Sequence, residues 1–324
     1  MRKEVSVKIV VSDCDHESMK PEEAVFADSG MTFKQLRCLT EGDLIAQCKG
    51  ANIVLNQYAP FTARVFAALK PELRQVVRYG VGINNVDVDA ATEFGVQVCN
   101  VPDYGVHEVS NHALALILAH ERKIVLMNAR TEGGAWDYSL AVPIRRMSEL
   151  TAGIVGFGRI GSALARKLQP LGCRVIGYDP AYGPGSPQMQ GAQWVPFDRL
   201  VSESDFVSIH CPLTAETRNM FDAAVLGRMK RTAVIVNTAR GGIIDEVALA
   251  DGLRRGALAG AALDVLEREP LPVDSPLRSL DSCLLTPHMA WYSEEAGLEL
   301  KRKVAEEAVS FARGEPVHYP VNAL

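Results

Sequence analysis

The sequence predicts an α/β protein of two lobes, with one parallel sheet inserted in the chain of another. Three observations carry that prediction. Short β-branched runs alternate with helical stretches along the chain, the pattern of parallel sheets covered on both faces. Gly156, Gly158 and Gly161, in A-G-I-V-G-F-G-R-I-G, mark a strand-to-helix turn in mid-chain rather than at the start. The 324 residues give room for about two domains, each able to bury a core.

In chain order, strands are expected at residues 5–11, 51–55, 75–79 and 96–100, with helices such as 61–69 and 88–94 between them. Residues 106–130 form one long helical pattern, suited to crossing between lobes. A turn-rich segment, T-E-G-G-A-W-D-Y (131–138), follows. Six further strands are expected at 153–155, 174–178, 206–210, 233–237, 260–264 and 283–286, the count of the doubly wound nucleotide fold. An amphipathic run, 162–171, follows the glycines, and 181–193 reads as a loop. A last helix, 293–313, opens with Glu294, Glu295 and Glu299, which suit the positive end of its dipole. The lobes are therefore expected over residues 1–104 with 291–324, and over 105–290. Two crossings between lobes leave a cleft, the usual place for a small ligand.

Composition narrows the function. Apolar content of 48% and charged content of 23% are those of a soluble globular protein. A net charge of −5 argues against nucleic acid, which needs a clustered basic face. The seven cysteines are scattered, with no C-x-x-C pair or metal-ligand spacing, and read as reduced core thiols without a metal. The N-terminus, M-R-K-E-V-S-V-K, is too charged for a signal peptide. The longest apolar stretch, 113–127, is broken by His120, Glu121, Arg122 and Lys123, so no membrane span is expected. A cytoplasmic location follows by default.

The glycine turn has a specific chemistry. Gly156 permits the tight turn, Gly158 lets the backbone approach a pyrophosphate, and Gly161 lets the helix pack close to the sheet. The helix N-terminus then offers N–H groups and a positive dipole end to phosphates. Asp179, 18 residues beyond Gly161, ends the next strand, where a carboxylate accepts bonds from ribose hydroxyls and repels a 2′-phosphate. NAD is therefore expected over NADP. Three further polar residues stand at successive strand ends: Arg240 in V-N-T-A-R-G-G, Glu269 in D-V-L-E-R-E-P and His288 in L-L-T-P-H. A guanidinium can clamp a carboxylate and polarise a carbonyl. An imidazole can move the proton that accompanies a hydride. A carboxylate beside it stabilises its charged form and fixes its ring.

These motifs resemble the D-isomer-specific 2-hydroxyacid dehydrogenase family. The likeness runs through R-Y-G-V-G-I-N-N-V-D (78–87), the glycine turn, S-I-H-C-P-L-T (208–214), V-N-T-A-R-G-G-I-I-D-E (236–246), A-A-L-D-V-L-E-R-E-P (261–270) and T-P-H-M-A-W-Y-S (286–293). It implies a Rossmann doubly wound sheet inserted in a flavodoxin-like α/β substrate domain. It implies that Arg240, Glu269 and His288 are the catalytic set, acting on a small 2-keto or D-2-hydroxy acid. It places Gly80, Val81 and Gly82 in a loop whose N–H groups grip the substrate carboxylate. Arg159 and Ile160 fall at the pyrophosphate, Cys211, Pro212, Thr238 and Ala239 along NAD, and Asp264 toward the nicotinamide carboxamide. Tyr79, Val81, Tyr104, His107, Trp291 and Tyr292 would wall the side-chain pocket. The family forms dimers through its nucleotide domains, so a homodimer with the 106 helix as a principal contact is expected.

The resemblance divides at the substrate. Glu269 stands where similar formate dehydrogenases carry glutamine. Arg78 could meet a phosphate, as in phosphoglycerate dehydrogenases, but Asn56-Gln57-Tyr58 holds no arginine where those enzymes often have one. The chain also ends at Leu324, without room for their regulatory domain. The segment T-P-H-M-A-W-Y-S-E-E-A (286–296) also looks like the C-terminal-binding proteins, which gives the alternative of an NAD(H)-responsive, corepressor-like dimeric binding protein.

Overall fold

Two parallel sheets, one of five strands and one of seven, account for the strand–helix alternation. The computed structural model describes residues 7–15, 18–189 and 191–324. The chain forms two units, one running to Gly105 and resuming over Ser293–Leu324, the other comprising Val106–Tyr292.

The first unit begins with β1 (Ile9–Val11), α1 (Lys20–Asp28), β2 (Phe33–Gln35), α2 (Glu41–Gln47), β3 (Ile53–Asn56), α3 (Ala63–Leu69), β4 (Gln75–Arg78), α4 (Val88–Glu93) and β5 (Gln97–Cys99). Its strand order, β2-β1-β3-β4-β5, is the 2-1-3-4-5 of the flavodoxin-like fold. β1 and β3 are buried throughout, which is why they read as continuous apolar runs. Local signals start the helices: Thr40 and Asp43 form a capping box on α2, and the Asp87 side chain accepts the Ala90 amide at α4. Val5 and Ser6 of the expected first strand lie outside the described residues. β2 was not expected, because an exposed edge segment of Phe-Lys-Gln carries no apolar signal.

The second unit holds α5 (Val106–Glu121), α6 (Ile124–Glu132), β6 (Thr151–Val155), α7 (Arg159–Leu168), β7 (Arg174–Tyr178), β8 (Gln193–Trp194), α8 (Phe197–Glu203), β9 (Phe206–Ile209), α9 (Ala223–Leu226), β10 (Val234–Asn237), α10 (Glu246–Arg254), β11 (Gly260–Leu263) and β12 (Cys283–Leu285). Read from β8, its order is 3-2-1-4-5-6 with β12 added beyond, the Rossmann arrangement. Cores lie on both faces, one around Val207, Ile235 and Leu249, the other around Ile154, Leu164 and Val236. Helix α11 (Glu294–Ala312) returns to the first unit, where it packs on α1 and β4.

Two expectations are corrected here. The single helix over 106–130 is two helices, broken where Lys123 adopts φ +53°. The buried stripe of α5 (Val109, Ala113, Leu116, Ile117) ends before the charged run 120–123, and α6 buries no side chain, so nothing holds the helix on one axis. The expected loop at 181–193 instead closes on an edge strand, β8, which pairs Gln193 and Trp194 with β7; Gln190 within it lies outside the described residues. That makes seven strands where six were expected. No described helix is long and apolar enough to cross a membrane.

Candidate active site

In a doubly wound sheet the ligand crevice lies beyond the carboxyl ends of the strands, where the order reverses. Here that point is between β6 and β9. Gly156 follows β6 with φ +91°, and a Cβ there would lie 2.6 Å from the Cys211 amide nitrogen after β9. Only glycine fits, because the two loops meet at backbone distance. Gly158 is exposed, with open space where a Cβ would point. Arg159 starts α7 beside it, and Ile160 is half-buried. Asp179 follows β7, and its carboxylate is already aimed: Oδ2 accepts the Phe157 amide at 2.8 Å and Oδ1 the Ala181 amide at 2.9 Å. Along the same edge, Thr238 is buried, and its Oγ1 has no partner among the described residues. An open glycine cradle, free amides at a helix start and an orphaned hydroxyl fit a dinucleotide.

The loops after β10, β11 and β12 bring Arg240, Glu269 and His288 together. Asn237 staples the first, its Nδ2 donating to Arg240 O at 2.8 Å and its Oδ1 accepting the Ala239 amide at 3.0 Å. A Cβ on Gly241 would fall on the Leu266–Glu267 backbone, so glycine there lets the β10 and β11 loops touch. Glu269 Oε1 accepts the Leu266 amide at 2.8 Å, and Oε2 lies 2.6 Å from His288 Nδ1. Burial opposes ionisation of Glu269, but His288, the Leu266 amide and Arg240 outweigh it and hold its carboxyl below the ordinary range. A carboxylate only accepts, so Nδ1 carries the proton toward it. Nε2 is then the nitrogen left for a reacting group. Both side chains are part-exposed, as an acid–base pair open to substrate must be.

His288 sits at φ +54°, a conformation a non-glycine residue keeps only where its surroundings fix it. Asp264 does much of that fixing. It is 2% exposed, and Oδ1 accepts the Thr286 hydroxyl at 2.6 Å and the Met289 amide at 3.0 Å. Oδ2 accepts the Ala290 amide at 2.9 Å, while the Asp264 carbonyl accepts the His288 amide at 2.8 Å. Expected to face the nicotinamide carboxamide, this carboxylate instead directs both oxygens at the loop that carries His288. Thr286 gives its hydrogen to Asp264, so His112 Nε2, 3.0 Å from Thr286 Oγ1, is the donor to it. Sequence reasoning missed His112. A histidine inside the apolar α5 reads as a core residue, and its partner lies 174 residues away.

In the first unit, Tyr79, Gly80, Val81 and Gly82 follow β4. The carbonyls of this loop are tied down: Gly80 O accepts the Val101 amide at 3.1 Å, and Val81 O accepts Asn100 Nδ2 at 2.6 Å. The amides of Gly80, Val81 and Gly82 donate to no described residue, so three N–H groups remain for a ligand. Tyr79 was expected in the pocket wall, but its ring is 2% exposed and its hydroxyl donates to Glu22. Trp291 is half-buried and stacks edge-to-face on Tyr292 with ring centroids 5.5 Å apart.

The sequence pattern of the D-isomer specific 2-hydroxyacid dehydrogenase NAD-binding domain matches residues 114–290. A glyoxylate reductase of Korarchaeum cryptofilum is 41% identical over 259 residues, 79% of this chain and 78% of that protein. The chain belongs to the D-isomer-specific 2-hydroxyacid dehydrogenase family. It is an NAD-dependent oxidoreductase of that family. A D-3-phosphoglycerate dehydrogenase of Methanocaldococcus jannaschii is 36% identical over 318 residues, 98% of this dehydrogenase. This chain spans only 59% of that relative's length. Among solved structures, D-lactate dehydrogenase from Aquifex aeolicus, complexed with NAD and lactic acid, matches with a TM-score of 0.84 at 25% identity. The match covers 95% of this dehydrogenase and 96% of the other chain. Nothing in these likenesses supports the corepressor-like alternative.

Proposed function

We propose that this dehydrogenase interconverts a small 2-keto acid and its D-2-hydroxy acid, with His288 as acid–base and Glu269 as the carboxylate that charges and orients it. The His288–Glu269 contact of 2.6 Å, on a loop pinned by Asp264, is the observation that carries this reading. NAD, when bound, supplies or takes up the hydride at C2 of the substrate. Residues Gly156, Gly158, Arg159, Ile160 and Gly161 would hold its pyrophosphate and Asp179 its ribose, with Cys211, Pro212, Thr238 and Ala239 along its length. The second unit is then the NAD-binding domain and the first the substrate domain. In the second unit Arg240 is assigned to the substrate carboxylate and the adjacent carbonyl. In the first unit the Gly80, Val81 and Gly82 amides are a carboxylate cradle in their own right. In reduction, protonated His288 gives its Nε2 proton to the C2 oxygen while Glu269 stabilises the imidazolium beforehand. In oxidation, neutral His288 takes that proton back. Placing the groups can supply several kcal/mol of the barrier reduction, and proton transfer roughly 10²–10⁴-fold more.

The test is NADH oxidation at 340 nm against glyoxylate, pyruvate, hydroxypyruvate, 3-phosphohydroxypyruvate, 2-oxoglutarate and bulkier 2-keto acids. A kcat/KM above roughly 10⁴ M⁻¹s⁻¹ for one member establishes enzyme and substrate class. Uniformly feeble rates beside tight NADH binding would sink the reading. The protein is further proposed to be a cytoplasmic homodimer. The seven cysteines are all free, which suits a reducing compartment. The apolar stripe of α5 is used within its own unit, whereas Ile124, Val125, Trp136 and Tyr138 are exposed beyond it. These exposed apolar side chains are the ones assigned to the dimer contact, with a second copy of this chain as the occupant. A monomer by sedimentation at micromolar concentration removes that assignment.

A further inference from the structure

Behind the Gly80 loop lies a titratable pair that neither hydride transfer nor proton exchange uses. Glu22 of α1 is fully buried, and its Oε1 accepts the Tyr79 hydroxyl at 3.0 Å. Its other oxygen has no partner among the described residues. Burial pushes the Glu22 carboxyl upward, opposed by a backbone amide, the Tyr79 hydroxyl and the charge of Lys301. Lys301, on α11, is itself held, its Nζ donating to Ser18 O at 2.7 Å. Burying a half-satisfied carboxyl is unfavourable, while apolar groups in place of both Glu22 and the hydroxyl would be nearly neutral. The pair therefore does something that packing alone does not require.

What the bond fixes is Tyr79. Its ring is anchored at the hydroxyl by Glu22, and its amide donates to Asn56 O at 2.8 Å. The next residue is Gly80, at φ +123°, where the chain turns and the three unused amides begin. A tyrosine held at both ends stops the turn from swivelling about the bonds between Tyr79 and Gly80. Asn100 and Val101 hold the far side of the same loop.

We propose that Glu22 is a positioning residue for substrate binding: by accepting the Tyr79 hydroxyl it holds the Gly80, Val81 and Gly82 amides in the geometry that grips the substrate carboxylate. This rests on the reading of that loop given above. Tyr79→Phe removes the hydroxyl alone, and Glu22→Gln keeps a carbonyl able to accept it. In the full chain with NADH and the best 2-keto acid, Tyr79→Phe should raise KM about 5- to 10-fold, the worth of one hydrogen bond, with kcat within about twofold. NADH affinity should not move. Amide hydrogen exchange of the 79–84 peptide in the NAD-free protein should quicken. Glu22→Gln should recover most of what Glu22→Ala loses in both readouts.

Unchanged KM and unchanged exchange in Tyr79→Phe overturn the proposal. So does a fall in kcat and Tm with KM unmoved, the mark of a purely structural bond. Should Glu22→Ala fail to fold, Tyr79→Phe and Glu22→Gln still decide. Faster exchange in a protein that turns over no 2-keto acid overturns the carboxylate reading instead, and leaves the Glu22 hold on the loop upheld.

Discussion

Each of the two sheets carries a different kind of chemistry at the carboxyl ends of its own parallel strands. On the seven-stranded sheet the groups assigned to the reaction are side chains: Asp179, Arg240, Glu269 and His288. On the five-stranded sheet they are main-chain amides, those of Gly80, Val81 and Gly82, and the side chains nearby only aim them. A side chain can be deleted by substitution, whereas an amide can only be misplaced. The two ends should therefore fail in different kinetic terms, one in kcat and the other in KM.

The largest effect should come from His288→Ala, which removes proton transfer and should lower kcat roughly 10²–10⁴-fold while NADH still binds. Substantial residual turnover would break the side-chain half of the comparison. Next, Asp179→Ala should weaken NAD about tenfold or more and narrow the preference over NADP, since the carboxylate is replaced by nothing that repels a 2′-phosphate. Calorimetric titration with both cofactors reads this directly, and an unmoved NAD affinity would place Asp179 elsewhere. His112→Ala leaves the Asp264–Thr286 bond in place but removes its support, so kcat should fall about 3- to 10-fold with KM little changed. On the other sheet, Asn100→Ala removes the bond to Val81 O and should raise KM about threefold with kcat intact. If Asn100→Ala lowers kcat rather than KM, the amide loop is not a binding element and the comparison fails.

The smallest effect concerns pH. His210, bonded through Nε2 to Ser208 Oγ at 2.8 Å, is held by burial at a pKa of about 4. Unfolded, it titrates near 6.5. Between those values the unfolded chain binds more protons than the folded one, so stability falls as pH drops from about 6.5 toward 4. His210→Gln should flatten that fall in a series of melting curves. An equally steep fall in the variant would assign the loss to other groups.

The comparison also explains what was legible. Fully buried strands such as β3 and β9 announce themselves as apolar runs, and β7 occupies the bounds its sequence predicts. The edge strands β2 and β8 leave no signal in the sequence, because two or three half-exposed residues carry no periodicity. The break at Lys123 is hidden in the sequence, since the local pattern favours helix on both sides and only the end of the buried stripe stops it. In the site, residues whose type is the chemistry could be picked out at strand ends. Free amides have no residue type, so Gly80, Val81 and Gly82 came only through the family resemblance. His112, Asp264 and Thr286 form their network across three elements, and Glu22 meets Tyr79 across 57 positions of chain, separations that no local pattern spans.

The exposed face beyond α5 also carries an optical label of its own. Trp136 is 92% exposed, and the chain has only two other tryptophans, Trp194 and Trp291, both half-buried. A solvent-bathed indole emits toward the red and is quenched freely by acrylamide, and covering it reverses both. Diluting the protein while watching its own fluorescence thus reports association at this face with no added dye, and Trp136→Phe supplies the blank.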